Sequence, residues 1–133
     1  GFVVAHAGRK LVFSADTIVW PPLIEAAERA DCLVHEVFIL REMPVVDGVR
    51  SAATRDAVAG YHTLSTEVGR VAAEANVGCL VLNHFVPTRF DAPALVAEVR
   101  AHYAGPLVLG EDLLTYDLST RVVGVNGATI GLG

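Results

Sequence analysis

Val12-Phe13-Ser14-Ala15-Asp16-Thr17, VFSADT, is an apolar run that stops on a small residue, a carboxylate and a hydroxyl. Two further stretches repeat the pattern: Asp31-Cys32-Leu33-Val34-His35-Glu36 and Cys79-Leu80-Val81-Leu82-Asn83-His84 are short apolar runs with polar ends. Short continuous apolar runs of this kind read as buried strands. The residues that end them therefore indicate what lies beyond the edge of a sheet.

The segments between these runs read as turns and helices. Residues 1–16, GFVVAHAGRKLVFSAD, form two strands joined at Ala7-Gly8-Arg9, because β-branched and aromatic residues flank a glycine turn. Thr17 to Pro22 is a loop. Pro22 then stands in the favoured first turn of a helix, LIEAAERA, expected to run to about Ala30 with Leu23, Ala26, Ala27 and Ala30 on one face. Phe38 to Gly60 has no sustained period and holds Pro44 and Gly48, so it reads as a long, partly helical excursion, and loops of that length in compact domains tend to be functional.

Ser65-Thr66-Glu67 opens a second helix, which Asn76-Val77-Gly78 closes with residues suited to a left-handed cap. A third helix is expected over Ala92 to Ala104, a fourth strand over Pro106 to Gly110 and a terminal hairpin over Leu113 to Val125. Strands alternating with helices in this rhythm define an α/β fold with right-handed crossovers.

At 133 residues the chain fits one domain, 1–133, and it is unusually apolar. With the 12 Gly counted in and the 3 Tyr left out, about 60% of residues are apolar, against about 45–50% in ordinary domains. No stretch approaches the roughly 20 apolar residues of a membrane span, so no membrane partner is expected. The excess apolar surface needs either a sheet covered on both faces or a face meant for a second domain or subunit.

A net charge of −5 with scattered basic residues lacks the electrostatic footprint of a nucleic-acid binder. Cys32 and Cys79 lie inside apolar runs, the ordinary place for buried free thiols. No signal peptide is visible and Gly1 stands where an initiator Met would, so a processed, tagged or truncated cytoplasmic product is expected.

In an open α/β sheet, ligands gather beyond the carboxyl ends of the strands. Those ends supply Asp16, then His35 and Glu36, then His84, with His62 just before the second helix. These residue types bind Zn²⁺, Fe or Mn²⁺ and handle protons. Each also has a plainer use: Asp16 as a helix cap, His84 as a hydrogen-bonded rim histidine, His35-Glu36 as a buried pair closing a loop, His62 as a cap.

Taken in order, FSADT, LVHEV, HTLSTEVGRVAAEA and LVLNHFVP resemble the carboxy-terminal half of the metallo-β-lactamase fold hydrolases, in the ribonuclease Z and arylsulfatase-like branch. The resemblance runs from about Val4 to Asp117. It implies half of an αββα sandwich, one mixed sheet with helices on its outer face.

The resemblance also implies roles. Asp16 matches the carboxylate that bridges two metal ions, zinc with manganese or iron as alternatives, and His84 matches a terminal ligand of the second ion. Glu36 and His62 match a pair in which the carboxylate orients the histidine and the histidine acts as acid toward the leaving group. The family pattern has Gly where this chain has Ala15, and the methyl group is expected to be tolerated with φ negative there. His6 and His102 are expected to be structural or exposed.

The family's His-x-His-x-Asp-His motif lies in its amino-terminal half and is absent from this sequence. Two ligands do not make a catalytic zinc site, which has three protein ligands and an open position. The resemblance therefore implies a fragment, or one piece of a split or swapped domain, inactive alone. Its expected partner is the missing amino-terminal half or a second chain.

Two functions follow. One is a metal-dependent hydrolase of phosphate, sulfate or carboxylic esters, in which metal ions lower the pKa of water and clamp charged oxygens. Its substrate is expected to be a small anionic ester rather than transfer RNA, with Arg41, Arg50 and Arg55 as candidate anion contacts beside the excursion. The other is a non-catalytic half-domain that dimerises as a homo-oligomer through its apolar sheet face. A doubly wound nucleotide-binding domain is disfavoured, because no glycine-rich phosphate loop follows the first strand.

Overall fold

The computed structural model describes residues 1–133. Its first element is a hairpin, β1 Phe2–His6 and β2 Arg9–Phe13, paired antiparallel from Phe2 with Phe13 to His6 with Arg9. Ala7 and Gly8 both take positive φ, 48° and 75°, as the twist-matched two-residue turn requires. From β2 the sheet continues in parallel through β3 Cys32–Phe38, β4 Leu80–Val86 and β5 Leu107–Leu109, in the spatial order β1-β2-β3-β4-β5. The three apolar runs with polar ends are thus adjacent strands, and their carboxyl ends lie at one edge.

Four helices connect them: α1 Pro21–Ala26, α2 Ala52–Ala59, α3 Ser65–Glu74 and α4 Ala92–Arg100. The main core joins Val12, Leu33, Val37, Leu80 and Leu82 of the sheet to Leu23 of α1, Val68 and Val71 of α3, and Leu95 and Val99 of α4. Strand alternation explains the selection: Leu33 and Val37 face the helices, whereas Cys32 and Val34 face the other way. Gly69 lets α4 approach α3 closely, since a Cβ there would stand 2.4 Å from the Val99 carbonyl oxygen.

The opposite face carries a smaller cluster built on Cys32, Cys79 and Val81. Part of it is covered by a second sheet, β6 Thr115–Asp117, β7 Val122–Val125 and β8 Ala128–Gly131, all antiparallel. The remainder is open: a groove of about 460 Å³ includes Leu11, Phe13, Val34, Val81, Asn83 and His84 in its lining. Every residue of β1 is exposed, Phe2 to 73%. Both cysteines are free and buried. No helix is long and apolar enough to cross a membrane.

Three sequence expectations change. α1 ends at Ala26, not Ala30, because Arg29 takes φ 52° and gives its N–H to the Ala75 carbonyl, turning the chain into β3; Ala27 and Ala30 stay buried outside the helix. The helix expected to run to Ala104 is α4 and ends at Arg100, beyond which the Tyr103 hydroxyl donates to the Val77 carbonyl. The excursion is partly helical as expected, with a single turn of tighter 3₁₀ helix at Leu40–Glu42 and then α2, whose N-cap Ser51 accepts from the Thr54 N–H. The terminal hairpin has a third strand, since Asn126-Gly127, at φ 49° and 81°, makes another two-residue turn after Val125.

Candidate metal centre

The end of β2 is set by Ser14. Its N–H continues the ladder to the Val34 carbonyl (2.9 Å), while its hydroxyl accepts from the Glu36 N–H (3.1 Å), joining the ends of β2 and β3. Ala15 then takes φ 52°, which corrects the expectation of a negative value: the left-handed turn is kept without glycine. It places Asp16 beyond the sheet edge, where it caps no helix, α1 being preceded by Trp20. Left-handed geometry costs an Ala about 1–2 kcal/mol. Ala15→Gly is expected to raise stability by about 1 kcal/mol, the strain relieved less the added freedom of the unfolded chain, measured by denaturant unfolding.

His84 reaches the same point by a different device. In β4, Asn83 pairs with Glu36 but Phe85 pairs with Val37, so His84 is an extra residue, a β-bulge, at φ 43°. Leu80 and Leu82 face the helices, and unbroken alternation would send His84 into the same core. The bulge turns it out instead, leaving it half-exposed with Nδ1 3.3 Å from Asp16 Oδ1. Two donors about 2.1 Å from one tetrahedral ion stand about 3.4 Å apart, so this spacing suits ligands of a shared ion.

Glu36 and His62 lie behind this pair. Glu36 is buried, with Oε2 accepting from His62 Nδ1 at 3.0 Å and Oε1 accepting from the N–H groups of Thr63 (2.7 Å) and Thr17 (3.3 Å). Burial holds the Glu36 carboxyl above its ordinary value, although the Thr63 N–H, the His62 ring and the Thr17 N–H each pull it down. His62 is also buried, packed by Phe38 and Tyr61, and its ring stacks on His84 at 5.5 Å between centroids. With Nδ1 held by Glu36, Nε2 remains free.

Asp16, His62 and His84 each offer a donor atom within 4.8 Å of the others. A carboxylate and an imidazole at the Asp16–His84 spacing suit a shared zinc ion, and the second imidazole, backed by a carboxylate, turns its free Nε2 toward the same point, where it can offer either a ligand atom or a proton. The residues present therefore fit a metal.

The sequence is similar to several ribonucleases Z. That of Myxococcus xanthus is 36% identical over 115 residues, covering 86% of this chain and 34% of the relative. That of Salinispora arenicola is 33% identical over 116 residues, 87% and 34%, and that of Haloarcula marismortui is 36% identical over 110 residues, 81% and 32%. No family model matches the chain. Among solved structures, the metallo-β-lactamase fold protein YhfI of Bacillus subtilis superposes with a TM-score of 0.62 at 22% identity, covering 82% of this chain and 40% of that one.

This chain has the metallo-β-lactamase fold, over 40% of that neighbour's length. It spans about a third of the length of these three relatives.

Within this fold, the other candidates lie apart from the centre. His35 is buried on the helix side. Arg41 is tied to Glu98, Glu42 and the Asp91 carbonyl, Arg50 to the Pro44 carbonyl and Arg55 to Asp56, so each guanidinium already has a partner. His6 and His102 are exposed.

Thr17 and Thr63 escaped the sequence reading. Besides the two bonds to Glu36, the Thr63 hydroxyl donates to the Thr17 carbonyl at 2.6 Å, fastening the two loops that carry Asp16 and His62. The available signal was the hydroxyl residue following each of those two groups.

Proposed function

We propose that this chain supplies one side of a two-metal site that hydrolyses phosphate, sulfate or related esters in the complete protein, and that the chain alone is inactive. The meeting of Asp16 and His84 at 3.3 Å, with His62 alongside, carries this reading. Asp16 and His84 are the metal ligands, His62 is the proton donor and Glu36 orients it. Zinc, or manganese or iron in its place, supplies a nucleophile from water at neutral pH and positive charge for the substrate oxygens.

The chain's own residues set the proton's path. Glu36 accepts the Nδ1–H of His62, so the proton that can leave is on Nε2. A doubly protonated His62 passes that proton to the leaving oxygen and returns to the neutral form that Glu36 already holds. The burial of both groups keeps water from replacing the contact.

The relatives are named as ribonucleases, which favours a phosphodiester of RNA as the ester class. Against a large polyanion such as transfer RNA stands the net charge of −5, which weighs toward a smaller ester. The missing amino-terminal half is the partner that covers the open sheet face and completes the site, and two free thiols suit a reducing, cytoplasmic setting. The open face and fully exposed β1 also support the second reading, a non-catalytic half-domain paired with another copy.

Activity measurements separate these readings. Hydrolysis of bis(p-nitrophenyl) phosphate and of a structured RNA is expected after completion with an amino-terminal half bearing His-x-His-x-Asp-His, and not from the chain alone. A completed, folded protein that cleaves neither, nor any sulfate ester, would leave the half-domain dimer, visible by light scattering. A monomeric chain that hydrolyses an ester unaided would refute the proposal.

A further inference from the structure

His35 is a costly residue with no part in the proton path. It is 0% exposed, its Nδ1 lies 2.7 Å from the Glu36 carbonyl oxygen, and its Nε2 is buried with no hydrogen-bond partner. A carbonyl only accepts, so Nδ1 carries the proton and Nε2 presents a bare lone pair to the interior. A buried polar atom left unpaired costs about 1–3 kcal/mol, and an apolar side chain of similar size would avoid it. The contribution of this ring must come from Nδ1.

The location of that bond indicates what it does. The Glu36 carbonyl stands at the Glu36/Val37 step, where the β3–β4 register shifts and β4 carries His84 as its extra residue. A bulge interrupts the regular ladder and leaves backbone groups in need of other partners. Here the preceding side chain on β3 supplies one, a donor whose position does not depend on β4. A ladder restored to regular pairing would turn His84 back toward the helix core, out of reach of Asp16.

We infer that His35 is a positioning residue: its Nδ1–H holds the Glu36 carbonyl at the register shift and so fixes the bulge that turns His84 toward Asp16. The bulge claim stands on the backbone alone; its consequence for metal rests on the function proposed above. His35 touches neither substrate nor metal in this account. It acts through Glu36 and His84.

The experiment compares His35→Leu, His35→Asn and His35→Gln in this chain, with two readouts. The first is the His84 backbone, followed by its NMR chemical shifts and its amide–Hα coupling, which report the left-handed conformation. The second is titration with zinc chloride, followed at the Asp16, His62 and His84 resonances. Asn places an amide donor close to the position of Nδ1, whereas Gln carries it one carbon further.

His35→Asn is expected to keep the wild-type His84 signals and zinc response. His35→Leu and His35→Gln are expected to lose the left-handed signature and to bind zinc about 10–100-fold more weakly, as loss of outer support does at metal sites. His35→Leu removes the unpaired Nε2, so its thermal stability is expected to hold even as zinc affinity falls, a split that a merely structural role would not produce.

A folded Leu variant with unchanged His84 signals would overturn the inference. If Leu does not fold, Asn and Gln variants that behave alike would overturn it too. Wild-type chain that shows no zinc response would count against the metal reading, and the His84 backbone signals would still decide the role of His35.

Discussion

Asp16→Ala, made in the protein completed with its amino-terminal half, is expected to reduce ester hydrolysis by more than about 100-fold, beyond the range typical of outer-sphere changes at metal sites. The side chain is half-exposed and bonds to no backbone group, so the fold has little to lose. Its position comes from the Ala15 turn, and its contact is His84 at 3.3 Å. The thermal midpoint before metal addition should therefore stay close to that of the unmodified protein, while bound metal falls. Retained activity with Ala at this position would remove the carboxylate from the mechanism.

Glu36→Gln is the second large effect, and its signature is selective. The amide can still accept from Thr63, but toward His62 Nδ1 it presents a donor, which moves the imidazole proton to Nε2 and withdraws the charge that supports the doubly protonated ring. General acid catalysis contributes about 10²–10⁴-fold, so hydrolysis of esters with poor alkoxide leaving groups is expected to fall by about that factor. A p-nitrophenolate needs little help from an acid, and its release should fall much less. Equal losses on both substrates would mean that Glu36 serves the fold or the metal and not the leaving group.

The same substitution has a stability signature. Because burial raises the folded Glu36 carboxyl above its unfolded value, the folded state holds that proton more tightly. Stability is therefore lost as the pH rises from the ordinary carboxylate range through the folded value. Glu36→Gln is expected to flatten that part of the curve, measured by denaturant unfolding at a series of pH values.

Much of the sheet was legible because its strands advertise themselves. VFSADT, CLVHE and CLVLNH share one composition, and the structure sets them side by side with their polar ends at one edge. The contact between Glu36 and His62, 26 residues apart, came from the family resemblance and not from local pattern. Local periodicity cannot report a partner across a 3₁₀ turn, a helix and two loops.

The parts that were not legible are backbone decisions. Nothing in LVLNHF announces that His84 is an extra residue with positive φ, since a histidine fits either a regular or a bulged strand. Ala15 conceals its turn because alanine seldom adopts the left-handed region, and the flanking residues Ser14 and Thr17 are tied down by bonds to Glu36 and Thr63. The expected helix overruns α1 by four residues because LIEAAERA keeps its apolar period past Ala26, while Arg29 leaves the helix for a bond to the Ala75 carbonyl. In contrast, the third strand of the small sheet has a visible signal in Asn126-Gly127, just past Val125, where the expected hairpin ends.

In the proposed site, Asp16 and His84 are metal ligands with His62 beside them as proton donor, and the other ligands come from outside this chain. The direct measurement is metal content by elemental mass spectrometry after exhaustive dialysis, on the completed protein and on its Asp16→Ala, His84→Ala double variant. The expected result is two tightly held ions in the completed protein and fewer than one in the double variant. A completed protein that retains no metal, or a double variant that retains both ions, would contradict it.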